Sequence, residues 1–286
     1  MSGQWGIDNL WMFLTFTSNW SLVLNGIGGH LDRTPYGMGI LWSIAVEEQF
    51  YLLFPALLLL CFRYPRLWIK FALAAVLVGT GFRATLLWAG YAFSSGKPGG
   101  YFYYATVSYL EVFAAGALAA SIATGGGPFE RIRSLFARAP AGIGLALLAA
   151  LAGLGYVWQF YLFPPYSRGA TPLSRGLDWV ATVGVYPPLG ILIAALLIWV
   201  NVNRQAGFSR FLRTPFMRSL GTLSFGIYMW HPLVQAVVQS LDASCVATMR
   251  PEWRSLGVNL LFLLYLALCV VCASLTYLFL EAPVLG

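Results

Sequence analysis

The chain has 286 residues and a formal net charge of +7, with 59% apolar and only 9% charged residues. Soluble domains contain about 45–50% apolar and about 25% charged residues, so the composition excludes a soluble enzyme, a disordered chain and a small disulfide scaffold. The apolar runs are also too long for the strands of a membrane β-barrel. The composition therefore predicts an all-α fold, a polytopic bundle of transmembrane helices.

The apolar segments divide the chain into about seven predicted spans, since a bilayer core takes roughly 20 helical residues. A shorter apolar patch at residues 10–16, flanked by tryptophans, is predicted to lie at the membrane interface. We expect residues 1–286 to form a single integral-membrane domain. The predicted spans cover residues 41–61, 67–92, 101–124, 140–163, 179–201, 219–241 and 256–280.

The basic residues are expected to orient the chain in the membrane. No basic stretch alternates with aromatic residues as nucleic-acid binding requires, so nucleic acid is excluded as a partner. Most basic side chains lie in the connections after the first, third and fifth spans, which the positive-inside rule places in the cytoplasm. The C-terminus is then also cytoplasmic, and the predicted location is the inner or plasma membrane of the cell. These side chains are Arg63, Arg66, Lys70, Arg131, Arg133, Arg138, Arg204, Arg210, Arg213 and Arg218.

Ionisable side chains inside predicted spans are functional candidates, because a charge in lipid is costly. At about 1.5 Å of rise per residue, all of them fall in the outer half of the membrane, as does the helix break at Pro187 and Pro188. Such a layer predicts a polar cavity that opens towards the outside or the midplane. The candidates are Glu47, Glu48, Arg83, Glu111 and His231.

Helical phase selects among these candidates. In the first span, Ser43, Glu47 and Tyr51 share one face, whereas Glu48 falls among apolar residues, so Glu47 is the predicted cavity-facing carboxylate. Two adjacent charges are costly in a medium of low polarity, so we expect the pair to be suited to acid–base chemistry, with a structural role as the alternative. Two other polar faces are Tyr101, Tyr104, Ser108 and Glu111, and Ser224, Tyr228, His231 and Gln235.

The other candidates have structural interpretations as well. Arg83 and Glu111 lie at similar depth, so they either form an ion pair between two helices or contact a substrate. His231 precedes a proline at a predicted helix kink, where it either packs as a hydrogen-bonded side chain or contacts a substrate.

The cysteines and histidines indicate neither redox chemistry nor a metal site. Cys269 and Cys272 form a CxxC pattern, but no basic group lies nearby to activate a thiol, so we predict buried core residues. The two histidines, His30 and His231, are far apart in the sequence and have no suitably spaced carboxylates. We therefore predict no metal.

Three stretches together resemble membrane acyltransferase family 3, the O-acetyltransferases of surface glycans, peptidoglycan and some small molecules. Residues 41–51, LWSIAVEEQFY, are similar to the most specific signature of the family. Residues 220–232, LGTLSFGIYMWHP, resemble its late-helix motif, and residues 277–283, YLFLEAP, resemble its closing segment. The resemblance runs from about residue 10 to the end of the chain.

The resemblance implies a transferase of about ten spans that moves an acyl group from cytoplasmic acyl-CoA to a hydroxyl group. Acetyl-CoA is the default donor, the acceptor is a glycan or a lipid-linked molecule, and no cofactor is permanently bound. Membrane lipid is a further expected partner. The resemblance places Glu47, Glu48 and Tyr51 in the catalytic group. Membrane depth and helical phase predict the cavity or substrate-binding residues as Ser43, Arg83, Glu111, Tyr228 and His231.

One feature of the family has no counterpart in the sequence. Family members carry an Arg or Lys in their first helix, followed about eleven residues later by the catalytic histidine; neither His30 nor His231 matches this pattern. We therefore expect a chain that lacks about three N-terminal helices, and no cleavable signal, since residues 1–8 contain no basic residue. The alternatives are a transporter, a non-catalytic fragment of such an enzyme, or a chain completed by a partner that supplies the missing helices.

Overall fold

The computed structural model describes residues 10–25, 41–64, 66–90, 103–125, 127–140, 142–158, 172–241 and 251–285. Within these ranges the regular structure is helical and no strand occurs. Helices suit a chain of this composition because each one satisfies its own backbone hydrogen bonds in lipid. The predicted all-α fold is confirmed.

The helices begin and end close to the predicted boundaries. Short 3₁₀ turns cover Thr106–Tyr109 and Gly127–Phe129, and π-helical turns cover Val180–Gly184 and Tyr277–Glu281. The α-helices are α1 (Leu10–Leu14), α2 (Ser18–Asn25), α3 (Leu41–Arg63), α4 (Leu67–Trp88), α5 (Leu110–Thr124), α6 (Glu130–Ala137), α7 (Gly142–Val157), α8 (Pro172–Trp179), α9 (Tyr186–Val202), α10 (Gly207–Leu212), α11 (Pro215–Leu241), α12 (Pro251–Thr276) and α13 (Ala282–Leu285).

Five helical segments in the described part of the chain are long and apolar enough to cross a membrane, and a sixth arises if α6 and α7, bent by 100°, form one span. The protein is therefore a multi-pass membrane protein. Five of the seven predicted spans are supported in this way, and the bent pair would add a sixth. The predicted span in α11 is not among them: this helix has 27 residues but carries more polar side chains. The five segments are Leu41–Cys61, Leu67–Trp88, Thr106–Thr124, Gly176–Val202 and Trp253–Val284.

The described residues fall into two compact units. The first contains residues 10–25 and the described residues from 41 to 210, and the second contains residues 211–241 and 251–285. The prediction of a single domain over residues 1–286 stays a prediction.

An apolar core occupies one end of the first unit. It joins the end of α3 to the start of α4 and to the ends of α5 and α9, and Cys61, Trp68 and Ile198 are among its buried members. Closer to the other end, Phe50 of α3 stacks on Phe113 of α5 with ring centroids 4.2 Å apart. These contacts leave the buried polar groups to the opposite end of the same helices.

A buried ion pair joins α4 to α5 in the polar half of this unit, which is the end opposite the apolar core. Arg83 Nη2 donates a hydrogen bond to Glu111 Oε1 at 2.5 Å, and neither side chain is more than 1% exposed. Arg83 Nη1 donates to the Ser108 carbonyl at 2.6 Å, and Thr80 Oγ1 donates to Glu111 Oε2 at 3.3 Å. The guanidinium also lies 4.2 Å from the ring centroid of Tyr186, which ties α9 to the pair through a cation–π contact.

Gly79 makes room for this ion pair on α4. A Cβ atom added at Gly79 would lie 3.0 Å from Glu111 Oε2 and 3.2 Å from the Val107 carbonyl oxygen. A glycine therefore lets the carboxylate approach the helix backbone, as small residues do between membrane helices. Gly81, two residues further along α4, has open space at the same position.

The second unit is built on the packing of α11 against α12. A Cβ atom at Gly226 would lie 3.0 Å from the Cβ of Ala273, so two small residues bring the helix backbones close together. One turn later, Trp230 Nε1 donates a hydrogen bond of 2.7 Å to Thr276 Oγ1. Cys269 is buried and Cys272 is half-buried in α12, and neither forms a disulfide.

The contact at Gly79 predicts different outcomes for two neighbouring substitutions. We expect Gly79→Ala to destabilise the protein by about 1–3 kcal/mol, because the methyl group crowds a carboxylate that the Arg83 and Thr80 side chains hold in place. Gly81→Ala is the matched control, and it should be neutral or stabilising because alanine favours helix more than glycine does. Thermal unfolding midpoints in detergent measure the difference, and equal midpoints for the two variants would contradict the role of Gly79.

The ion pair predicts that two substitutions together do less harm than one. Glu111→Leu leaves a buried guanidinium without its counter-charge and should cost about 3–5 kcal/mol of stability. Arg83→Met combined with Glu111→Leu removes both charges, so most of this loss should be recovered. The unfolding midpoints of both variants in the same detergent test this, and a double variant as unstable as the single one would refute the pairing.

Candidate functional site

The candidate site is a cavity of about 290 Å³ in the first unit, where α3 meets the corner between α1 and α2. Glu48, Tyr51 and Leu52 line it from one face of α3, at the helical spacing that brings side chains together. Thr15 and Phe16 line it from the corner, and Gln49 completes the described wall. The cavity thus combines a carboxylate, a phenol and a hydroxyl group.

Glu48, and not Glu47, is the carboxylate that lines this cavity. The side chain of Glu47 is exposed, and Ser43 is not among the described lining residues. Helical phase had favoured Glu47 because Glu48 falls among apolar residues of α3. The expectation differs from the structure because the α1–α2 corner packs against that apolar face, a contact that no periodicity within α3 could indicate.

Beside the cavity, the side chains of Asn19, Gln49 and Thr106 form a closed ring of hydrogen bonds, which we call the amide ring. Gln49 Nε2 donates to Asn19 Oδ1 at 2.9 Å, Asn19 Nδ2 donates to Thr106 Oγ1 at 3.0 Å, and Thr106 Oγ1 donates to Gln49 Oε1 at 2.6 Å. Asn19 is completely buried, and its second N–H reaches the Tyr104 carbonyl at 3.1 Å. Every polar group of both amides therefore has a partner, as a buried polar network requires.

The α1–α2 corner adopts an unusual backbone conformation. Phe16 has a φ of 54°, the left-handed region that L-residues other than Asn and Asp rarely enter. Its carbonyl accepts a hydrogen bond of 2.5 Å from Gln49 Nε2. A strained residue of this kind persists only where its surroundings hold it, and Gln49 is part of what holds it.

A second cavity of the first unit, of about 330 Å³, has aromatic walls. Tyr109 donates its hydroxyl hydrogen to the Tyr103 carbonyl at 2.7 Å, and Trp158 Nε1 donates to the Ala181 carbonyl at 3.3 Å. The polar hydrogens of these two side chains are therefore donated to backbone carbonyls. The described lining residues are Trp42, Tyr103, Tyr109, Leu154, Gly155, Trp158, Val185, Tyr186 and Leu189.

Arg83 and Glu111 meet as an ion pair, which is the structural interpretation of these two residues. Neither is a described lining residue of either cavity in the first unit. Tyr186, which begins α9 directly before the predicted proline break, connects the pair to the aromatic cavity, because its ring lines that cavity and also contacts the Arg83 guanidinium.

His231 compensates for Pro232 in α11. Proline has no N–H, so the carbonyl of Tyr228, four residues earlier, loses its helical hydrogen bond. His231 Nδ1 lies 2.6 Å from that carbonyl oxygen. A carbonyl can only accept, so Nδ1 carries the hydrogen in this contact. His231 therefore supports α11 at the proline, and no hydrogen bond of Nε2 is found among the described residues.

The second unit has a cavity of about 340 Å³ between α11 and α12. Gln235, from the predicted polar face of α11, lines it together with Gln239 and Tyr265. Ser224 lies on the same face but donates its hydroxyl hydrogen to the Gly221 carbonyl at 2.7 Å. Tyr228 and His231 are not described lining residues of this cavity.

Sequence reasoning missed Asn19, Gln49, Thr106 and Gly79. The search covered ionisable residues, whereas the ring is built from neutral amides and a hydroxyl. An amide side chain inside an apolar span was the available signal, because a buried amide in lipid requires several partners. The position of Gly79 could not be recognised without knowing which helix packs against it.

Some expectations fall on residues outside the described ranges. His30 and Tyr101 are among these, and so are parts of the predicted outer loops. Within the described ranges, no group of three His, Cys, Asp or Glu side chains could hold a metal ion.

Comparison with known proteins identifies the family. The chain is 26% identical, over 94% of its own length, to the peptidoglycan O-acetyltransferase OatA of Listeria monocytogenes. The alignment spans 39% of the length of that relative. No solved structure matches the chain to a significant degree. A family profile described as an acyltransferase domain matches residues 2–281, and the chain therefore belongs to this family of acyltransferase domains.

Proposed function

We propose that the chain is a membrane-bound acyltransferase that moves an acyl group, acetyl by preference, from acyl-CoA to a hydroxyl group of a glycan or lipid-linked acceptor. The observation that carries the proposal is the cavity beside α3, because the family signature at residues 41–51 supplies its carboxylate and its phenol. The name of the Listeria relative, a peptidoglycan O-acetyltransferase, supports acetyl as the group and a glycan as the acceptor. No permanently bound cofactor is part of the proposal.

The proposed reaction requires the acceptor hydroxyl to lose a proton as its oxygen attacks the thioester carbonyl carbon. A carbon–oxygen bond forms, the carbon–sulfur bond breaks, and the departing CoA thiolate takes up a proton. A carboxylate beside the hydroxyl can accept or orient that proton. Glu48 is the carboxylate that the geometry favours, and Tyr51 lines the same cavity as a donor for the developing negative charge.

The orientation of the chain is part of the same proposal. The connections rich in arginine would face the cytoplasm, where the acyl-CoA donor is found, and the C-terminus would lie on the same side. The polar half of the first unit, with its buried ion pair and amide ring, would then lie in the outer half of the inner or plasma membrane. Membrane lipid surrounds the spans in this arrangement.

An assay of acyl transfer separates the proposed function from transport. Membrane vesicles that carry the chain are incubated with acetyl-CoA labelled in the acetyl group, and label in glycan or lipid-linked product is counted. Transfer above that of vesicles without the chain supports the proposal. Uptake of an unmodified solute with no labelled product would favour the transporter alternative instead.

The position of Glu48 predicts which of the two adjacent carboxylates matters for transfer. Glu48→Gln should lower the rate of transfer by about 10²- to 10⁴-fold, because the proton acceptor at the cavity is lost. Glu47→Gln is the comparison, and its side chain is exposed, so the rate should change far less. A large loss from Glu47→Gln with a small loss from Glu48→Gln would show that the original helical-phase argument was right.

His231 offers a separate test of whether its free ring nitrogen takes part in the reaction. His231→Asn keeps an amide donor near the Nδ1 position, so α11 should keep its hydrogen bond to the Tyr228 carbonyl. If Nε2 contacts the substrate, His231→Asn should reduce transfer at least about tenfold, the loss of one hydrogen bond, while the unfolding midpoint is retained. Full transfer by this variant would assign His231 a structural role alone.

A further inference from the structure

The amide ring fixes the rotation of α3 about its own axis. Its hydrogen bonds join Gln49 to α2 and to the 3₁₀ turn that precedes α5. The stack of Phe50 on Phe113 holds α3 against α5, but stacked rings can slide, whereas hydrogen bonds tolerate little change in angle. The ring also fixes the amide orientations, since turning the Gln49 amide over would set its oxygen against the Phe16 carbonyl.

The rotation of α3 determines where the Glu48 carboxylate lies. Glu48 and Gln49 are consecutive, so they point about 100° apart around the helix. A helix with its side chains has a radius of about 5–6 Å, so a rotation of about 10° moves the carboxylate by about 1 Å. A misplacement of about 1 Å can lower a catalysed rate about 10²-fold.

Gln49 also holds the opposite wall of the cavity. Its Nε2 donates to the Phe16 carbonyl as well as to Asn19, and Phe16 lines the cavity together with Thr15. The positive φ of Phe16 is a conformation that the corner would leave if it were not held. A single side chain therefore connects the wall that carries Glu48 to the wall that faces it.

We propose that Gln49 is a positioning residue of the acyltransferase reaction, which acts through the amide ring by holding the Glu48 carboxylate and the Thr15–Phe16 wall at a fixed separation. Asn19 and Thr106 act through Gln49 in the same way. This inference rests on the proposed function, because it assigns Gln49 a role at the cavity where transfer would occur.

The test uses a matched pair of substitutions at Thr106, which is not a described lining residue of the cavity. Thr106→Val has nearly the same shape but loses the hydroxyl that donates to Gln49 and accepts from Asn19, whereas Thr106→Ser keeps it. Thr85→Val serves as the control, because among the described residues the Thr85 hydroxyl donates within its own helix, to the Gly81 carbonyl at 2.8 Å. Transfer from labelled acetyl-CoA gives kcat and KM for each variant in membrane vesicles. Hydrogen exchange at residues 15–19 reports on the corner.

We expect Thr106→Val to lower kcat by about 10- to 100-fold with little change in KM for acetyl-CoA, and to speed exchange at the corner. Thr106→Ser should restore most of kcat, and Thr85→Val should match the unaltered chain. If Thr106→Val does not accumulate in the membrane, Gln49→Met provides the same comparison.

The inference is overturned if Thr106→Val keeps full kcat, or if kcat falls without faster exchange at the corner. It is also overturned if both ring variants fail to accumulate, because the ring would then be a folding element alone. Absence of transfer by the unaltered chain would instead refute the proposed function.

Discussion

The structure depends on one constraint: a polar group inside a bilayer must find its partner within the protein, because lipid offers none. In the described part of the first unit, this constraint produces two assemblies. Arg83 and Glu111 neutralise one another between α4 and α5, and Asn19, Gln49 and Thr106 exchange hydrogen bonds in a ring. Both assemblies link segments that are far apart in the sequence, so satisfying the polar groups also determines which helices lie together.

Small residues allow these partners to come close enough. Gly79 lets the Glu111 carboxylate approach α4, and Gly226 lets α11 approach Ala273 of α12. In the first unit the ring of Trp199 lies so close over Gly144 that no Cβ atom would fit between them. Membrane helices gain little from the hydrophobic effect when they associate, so close packing of this kind supplies much of the attraction.

The sequence predicted the parts of the fold that depend on one segment at a time. Span boundaries follow from hydropathy alone, and the ends of α3 and α4 agree with them to within a few residues. The pairing of Arg83 with Glu111 was also accessible, because similar depth in the membrane left few other partners. The choice between Glu47 and Glu48 was not, because it depends on the α1–α2 corner, whose position is set by hydrogen bonds from Asn19 and Gln49 to other segments.

The three consecutive residues Glu47, Glu48 and Gln49 show why a short signature can carry both chemistry and architecture. Successive residues of a helix point about 100° apart, so each side chain meets different surroundings. Glu47 is exposed, Glu48 lines the cavity, and Gln49 lines the cavity and closes the amide ring. If Gln49 fixes α3 through the amide ring, the Glu48 carboxylate on the same helix cannot move independently of the Gln49 amide. The proposed reactive group and its proposed support therefore occupy adjacent positions, and a substitution at Gln49 should alter the geometry at Glu48 before it alters the fold.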